Sequence, residues 1–473
     1  MMWSTRRSQA LYNAAWALSL PFVFARFWWR GRAEAAYFHG WSQRLGHWTS
    51  PDPPVDGGPR VWLHAVSLGE TRAAGPLVQA LRNLLPGMQL LLTTSTATGM
   101  AAGRELLQAG DLHGWVPLDT PAATRRFLAV NRPQVGVLME TETWPNLLLQ
   151  AQVAGVPMAL VNARLSDRSL RKGLRWSGLT RPMMGRLTVV CAQSDRDARN
   201  LQQAGVPADR IQVLGHLKYD LQPSLELLDQ GRQWARQLPS GATACVRPSA
   251  ARRIVMAASW REGEDQALLR AWGSQVLTQA AGRSGPWVQP DAATPHGKPA
   301  ARPLLLVVPR HPQRFGEVHA AMVGAGLSVS RRSHWGPEGP SEANWQADAW
   351  LGDSVGEMPA YYAASDVALL GGSFAALGGQ NLIEAAACAC PVVMGPHTFN
   401  FSDAAAQAQD LGAAWRACDV AQAVSLALKA GSADLQQARA AGLAWVAAHS
   451  GAVQRQARAV AALIQLPRSG AKA

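Results

Sequence analysis

The chain has 473 residues, 48% of them apolar and 16% charged, which excludes a disordered chain or a coiled coil and leaves room for at least two cores. Lys plus Arg is 45 against 32 Asp plus Glu, a net charge of +13 that suits an anionic partner: nucleic acid, an acidic membrane surface or a phosphorylated substrate. The five cysteines (Cys191, Cys245, Cys388, Cys390 and Cys418) make no metal-ligand spacing and read as structural thiols of a reducing compartment.

Residues 8–25 carry no charge, and as a helix they would span about 27 Å, close to the hydrocarbon thickness of a bilayer. Arg6 and Arg7 precede this run, Arg26, Arg30 and Arg32 follow it, and Trp28 and Trp29 stand where an aromatic belt would lie. Three readings compete. Length and flanks favour an uncleaved membrane anchor. A helix lying in the interface, kinked at Pro21, is the second. The third is an export signal, with Ala33-Glu34-Ala35 in small-x-small form, but Trp28, Trp29, Arg30 and Arg32 fill its cleavage region.

After a Pro/Gly/Asp linker at 50–59, strand-like and helix-like runs alternate. Strands are expected at 61–66, 89–93, 134–140, 157–161, 187–192 and 211–215, with helices at 71–85, 120–130 and 194–204. The second half repeats the theme, with strands at 254–258, 303–308, 327–330, 367–370 and 391–394 and helices at 264–277, 315–325, 381–387 and 402–411. Such alternation predicts parallel strands with crossover helices, hence two doubly wound α/β halves. Segments 240–251 and 280–301 read as surface insertions, and the helical stretch 434–466 could cap either half.

Ligands of parallel sheets bind beyond the carboxyl ends of strands, so the polar residues there carry the functional argument. His64 to Glu70 leaves the first strand and enters a helix. Glu70 suits a general base, and equally a carboxylate favoured by a helix start. Glu140 and Glu142 share a face if their strand persists, which would let them split their pKa values or bind a cation; otherwise one is buried and one caps the helix near Pro145. The hydroxyl-rich turn 93–99, with Ser95 and Thr96, could bond an anion or a sugar, although N-capping explains at least one member. Between residues 164 and 186 stand six arginines and Lys172 against one acid, Asp167, a stretch suited to headgroups or phosphates and also to a solvated face. Arg310, delivered by a Pro-flanked turn, suits phosphate recognition, while His311 beside it reads as an ordinary histidine. Gly371, Gly372 and Ser373, then Gly378 and Gly379 before a helix carrying Asn381 and Glu384, form a nucleotide signal, with Glu384 suited to a ribose diol. There is no Walker A loop, no G-x-G-x-x-G, no His/Cys metal cluster and no nucleophile elbow. The basic residues are not interleaved with aromatics, which disfavours nucleic acid.

In order and spacing, HAVSLGE at 64–70, METETWPNL at 139–147, NARLSDRS at 162–169, LGHLKYD at 214–220, AASWREGED at 257–265, PRHPQRF at 309–315 and the long segment 351–401 resemble the 3-deoxy-D-manno-octulosonic acid (Kdo) transferases of lipopolysaccharide synthesis, glycosyltransferase family 30. The resemblance implies an inverting GT-B enzyme with two Rossmann-like domains facing across a cleft. The expected division is an anchor at 1–32, an acceptor domain at 50–216, a donor domain at 217–445 and a terminal helix at 446–473 that could cross back. It implies CMP-Kdo as donor and the tetra-acylated, bis-phosphorylated glucosamine disaccharide precursor of lipid A as acceptor, with no metal or other cofactor. The enzyme would sit on inner-membrane phospholipid with its catalytic domains on the cytoplasmic side. By motif, Glu70 is the base, and Glu142 or Glu140 a second acceptor-side carboxylate. Ser67, Gly69, Ser95, Thr96 and Arg164 are acceptor residues. Arg310, His311, Val355, Gly356, Glu357, Gly372, Ser373, Asn381, Leu382, Ile383 and Glu384 form the donor site. One departure is Gln380, where the family usually has His.

Overall fold

The computed structural model describes residues 2–49, 53–54, 57–220, 222–236, 252–277 and 302–465. The expected insertions at 240–251 and 280–301, and Cys245, lie outside the described residues. The chain divides into two compact units, one of residues up to Asp220 together with those from His449 on, the other Leu221–Ala448.

The first unit is built on β1 (Arg60–His64), β2 (Gln89–Thr94), β3 (Leu112–Trp115), β4 (Val135–Met139), β5 (Met158–Ala163), β6 (Val189–Ala192) and β7 (Ile211–Val213). All are parallel, in the order β3-β2-β1-β4-β5-β6-β7. Strands such as β1 and β4 are buried at every position, without alternation, because helices cover both faces of the sheet. Helices Leu68–Leu84 and Ala452–Gln465 close one face over Val61, Leu63, Leu90 and Leu92. Helices Pro121–Asn131, Pro145–Val153 and Asp195–Ala204 close the other over Trp62, Leu91 and Leu160. The terminal helix is fastened by Gln456, whose Oε1 accepts the Asn162 N–H at 2.8 Å and whose Nε2 donates to the Gly215 carbonyl at 2.8 Å.

The second unit carries β8 (Ile254–Trp260), β9 (Leu304–Pro309), β10 (Val329–Arg331), β11 (Ala349–Leu351), β12 (Val367–Leu370), β13 (Val392–Met394) and β14 (Ala414–Arg416). These too are parallel, in the order β10-β11-β9-β8-β12-β13-β14. Strand order reverses between β1 and β4 in one sheet and between β8 and β12 in the other, so each unit has a switch point at which ligands of such sheets bind. The expected α/β class with two parallel sheets is therefore present. The expectation missed β3, β11 and β14, which have only three or four residues each.

The N-terminal segment departs from the reading as a membrane-spanning anchor. It is a helix, Met2–Gly31, but no helix among the described residues is long and apolar enough to cross a membrane. Its polar side chains bond into the first unit: the Tyr12 hydroxyl donates to Asp119 at 2.8 Å, Gln9 Nε2 donates to Asn146 Oδ1 at 2.8 Å, and Asn146 Nδ2 donates to Asn13 Oδ1 at 2.9 Å. Leu18, Phe22, Trp28 and Trp29 remain exposed.

Candidate active-site residues

In the first unit, β1 ends at His64, a fully buried ring whose Nδ1 lies 3.0 Å from both the carbonyl and the hydroxyl of Thr93. Burial pushes its pKa down to about 4, so it is neutral and holds the strand end. Ser67 then caps helix Leu68–Leu84, accepting the Glu70 N–H at 3.4 Å. The Glu70 carboxylate turns back and accepts the Val66 N–H at 2.6 Å. It is thus both a helix-start carboxylate and a half-buried acid. Burial raises its pKa to about 7, the charges of Glu140 and Glu142 add to the rise, and the bonds from Val66 and Ser67 oppose it. A carboxylate poised there is matched to general-base work near neutrality.

The turn after β2 lies alongside. Thr96 caps helix Ala97–Gly103 by accepting the Gly99 N–H at 3.1 Å, and its hydroxyl donates to the Val66 carbonyl at 3.1 Å. The Ser95 N–H donates to the same carbonyl at 3.2 Å. Ser67, Ser95 and Thr96 are thus brought to the Glu70 turn, where Gly69 is exposed.

The strand carrying Glu140 does not persist to Glu142. β4 stops at Met139, and Glu140 takes φ +56°, a left-handed backbone that breaks the alternation. Glu140 is ion-paired with Arg164 at 2.8 Å, whereas Glu142 lies beside Trp144 and has its pKa raised by burial and by Glu140. Lys218 and His216, in a motif given no site role above, reach the same cluster. Burial lowers the Lys218 pKa against the pull of Glu140, and burial with the charges of Lys218 and Arg164 lowers His216 to about 3. A cavity of about 170 Å³ adjoins the Glu140–Arg164 pair, walled by Leu160, Leu170, Met184 and Leu201.

In the second unit, Arg310 follows β9 and is exposed, its N–H held by the Trp260 carbonyl at 3.0 Å. Burial raises the pKa of Glu384, and the charge of Arg310 opposes that rise. Asn381 precedes the six-residue helix Leu382–Ala387 without capping it, and its buried Oδ1 has no hydrogen-bond partner among the described residues. Leu382 and Ile383 are buried, so they could offer a ligand only backbone groups. His311 is half-exposed, 3.9 Å from Glu262. Val355 and Gly356 form an exposed turn, and Glu357 is held by Arg332 at 2.8 Å. Ser373 is fully buried; its hydroxyl donates to the Leu370 carbonyl at 2.5 Å and accepts the Gly395 N–H at 2.8 Å.

The residue that sequence reasoning missed here is Glu264. It is 2% exposed, and its carboxylate accepts the N–H groups of Gly372 (2.9 Å), Phe374 (3.1 Å), Ala375 (3.0 Å) and Arg261 (3.1 Å). Its only signal was a place in the 257–265 motif. Among the described residues, no group of three or more His, Cys, Asp or Glu is arranged to hold a metal ion.

The fold is shared with a glycosyltransferase from Rickettsia africae, at TM-score 0.52 and 12% identity over 86% of this chain and 98% of that one. Two doubly wound units, each with a switch point at its sheet, are the two-domain α/β arrangement of that fold. The family model described as 3-deoxy-D-manno-octulosonic-acid transferase (kdotransferase) matches residues 39–221. A 3-deoxy-D-manno-octulosonic acid transferase of Bordetella pertussis is 45% identical over 94% of this chain and 97% of its own length. One of Haemophilus influenzae is 33% identical over 74% and 73%. The chain belongs to the 3-deoxy-D-manno-octulosonic acid transferase family.

Proposed function

We propose that the chain transfers Kdo from CMP-Kdo to the tetra-acylated, bis-phosphorylated glucosamine disaccharide precursor of lipid A, with inversion at the anomeric carbon and Glu70 as general base. What supports this reading is the chain's membership of the Kdo transferase family, together with the Glu70 carboxylate half-buried at the first unit's switch point, where burial raises its pKa to about 7. In the reaction, the acceptor hydroxyl gives its proton to Glu70 while its oxygen attacks the anomeric carbon of Kdo. The bond from that carbon to the CMP phosphate breaks, and the phosphate leaves with the electron pair. Inversion requires the base and the leaving phosphate on opposite faces of the sugar. Arg310 supports the departing phosphate, and Glu384 the ribose. Glu142 and the Glu140–Arg164 pair set the electrostatics around the base.

The enzyme works at the cytoplasmic face of the inner membrane. Helix Met2–Gly31 lies in the interface rather than across it. Its exposed Leu18, Phe22, Trp28 and Trp29, with Arg26, Arg30 and Arg32 beside them, suit the acyl–headgroup boundary of an anionic bilayer. The basic helix Asp167–Leu174, with Arg181 of the following helix Ser177–Met184, suits the same surface and the acceptor's two phosphates.

The test is a transfer assay with purified enzyme, CMP-Kdo generated in situ and the lipid A precursor in detergent, with products resolved by mass spectrometry. A product heavier by one or more Kdo units, absent with Glu70→Ala, is expected. No product, under conditions in which another Kdo transferase works, would overturn the donor and acceptor together.

A further inference from the structure

The glycine-rich turn after β12 looks, by sequence, like a cradle for the donor's phosphate. The structure shows that its N–H groups are already bound to an anion, and the anion belongs to the chain. Glu264 heads helix Asp265–Trp272 but does not cap it. One carboxylate oxygen accepts Gly372 N–H and Arg261 N–H, and the other accepts Phe374 N–H and Ala375 N–H. The carboxylate thereby bridges the ends of β8 and β12, the two strands that flank the second sheet's switch point.

The surroundings fit this clamp and little else. Ser259, just before the bridge, takes φ +50° in a register shift of β8 against β9. Gly371 is packed so closely on that bend that a Cβ there would lie 2.4 Å from the Ser259 carbonyl. From the clamped turn, the Gly372 carbonyl accepts the Gly379 N–H at 2.8 Å, which ties the second glycine-rich turn to the first. A Cβ on Gly372 would meet Gln380 at 3.2 Å and Arg261 at 3.4 Å, so the side chains of both lie against the clamped backbone. Gln380 leads directly to Asn381, whose buried Oδ1 has no hydrogen-bond partner among the described residues.

We propose that Glu264 is a positioning residue for donor binding: its carboxylate fills the anion-binding turn after β12 and so fixes both glycine-rich turns, Arg261 and Gln380 around the nucleotide. The inference rests on the CMP-Kdo reading above. It follows that the donor's phosphate is met by the exposed Arg310 side chain and not by the N–H groups of the turn; Arg261 Nε donates to Glu262 at 2.9 Å. A carboxylate accepts at both oxygens, whereas an amide has one acceptor oxygen and an NH₂ that would face two N–H donors.

The experiment uses the full chain with Glu264→Gln. Amide exchange of the peptide covering 371–381 is expected to quicken, with peptides of the first unit unchanged. CMP affinity by calorimetry is expected to weaken about tenfold or more, since bonds to a charged acceptor are lost. The KM for acceptor and the pH of half-maximal rate should stay as in the wild type, a split that general loss of fold would not give. Should Glu264→Gln fail to fold, Glu264→Asp keeps the charge with shorter reach and carries the same comparison at a smaller effect. Unchanged exchange at 371–381 overturns the clamp. Faster exchange with wild-type CMP affinity overturns its link to the donor. A wild-type chain that ignores CMP overturns the donor reading, and with it the nucleotide part of the proposal, while the exchange result still decides the clamp.

Discussion

One oxygen of the Glu140 carboxylate receives both Nε and Nη2 of Arg164, at 2.9 and 2.8 Å, from a backbone held at φ +56°. The left-handed turn aims Glu140 at Arg164, and the pair compensates a negative charge that would otherwise act in full on Glu70. Glu140 is one of the charges that raise the Glu70 pKa. Arg164→Gln should therefore move the acid limb of the pH–rate profile upward, and Glu140→Gln should move it downward. At pH 7 the arginine variant is expected to lose about threefold or more of its rate as the base becomes protonated. Profiles of kcat/KM against pH decide this; parallel loss in both variants without a shift of the limb would contradict it.

Glu70→Gln should lower kcat by about 10²- to 10⁴-fold, the usual worth of a positioned base, with CMP binding intact by calorimetry. In the wild type the active form is the carboxylate, so the rate should fall about tenfold per pH unit below about 7. The same residue acts on stability. Its folded pKa stands above the unfolded value of about 4.3, so its stabilising contribution is complete below that value and is lost as pH rises through about 7. Glu70→Gln should accordingly melt higher than the wild type at pH 8, and the gap should close toward pH 5.

The two sheets were legible because fully buried parallel strands are uninterrupted apolar runs; β1, β4 and β12 hold no exposed position. β3 was not legible, because Leu112–Trp115 includes His113 and Gly114 and is too short for a pattern. β11 and β14 are three-residue strands that were also missed. In the site, the reading of Glu70 as a base came from the resemblance, while its helix-start place was legible from its strand-to-helix turn. Two things were not. Glu140 takes a left-handed backbone just past the end of β4, so the shared face that depended on the strand continuing to Glu142 is absent. The role of Glu264 depends on N–H groups more than 100 residues along the chain, and backbone donors leave no mark in a side-chain pattern.

Arg310→Ala should weaken CMP binding about tenfold or more, since it removes an exposed guanidinium from the proposed phosphate site. It should also raise the pKa of Glu384, because the Arg310 charge is what opposes the rise caused by burial. The ordered result is weaker CMP binding for Arg310→Ala than for Arg310→Lys, with binding by the wild type and Arg310→Lys weakening at high salt and binding by Arg310→Ala weakening less, as loss of the screened charge requires. Titration calorimetry at two ionic strengths reads both effects; equal, salt-independent affinities would remove Arg310 from the phosphate.

Arg44 holds the N-terminal helix to the first unit. It is 2% exposed, and its guanidinium stands 3.8 Å from the Trp115 ring centroid and 4.1 Å from that of Phe27, a residue of that helix. Burial lowers its pKa to about 10, so it is still charged at neutral pH. Nε and Nη2 have no hydrogen-bond partner among the described residues, which makes the aromatic faces their principal compensation. Arg44→Ala removes both the cation–π contacts and a buried volume, at a cost of about 2–4 kcal/mol. Arg44→Lys keeps the charge but loses the flat stacking surface, and should fall between the two. Limited proteolysis should release the segment ahead of residue 31 first in the alanine variant, and flotation with anionic vesicles should fall with it. A variant that melts lower but keeps the helix attached would place the role of Arg44 in the core alone, and would leave Tyr12 and Gln9, bonded to Asp119 and Asn146, as the attachment.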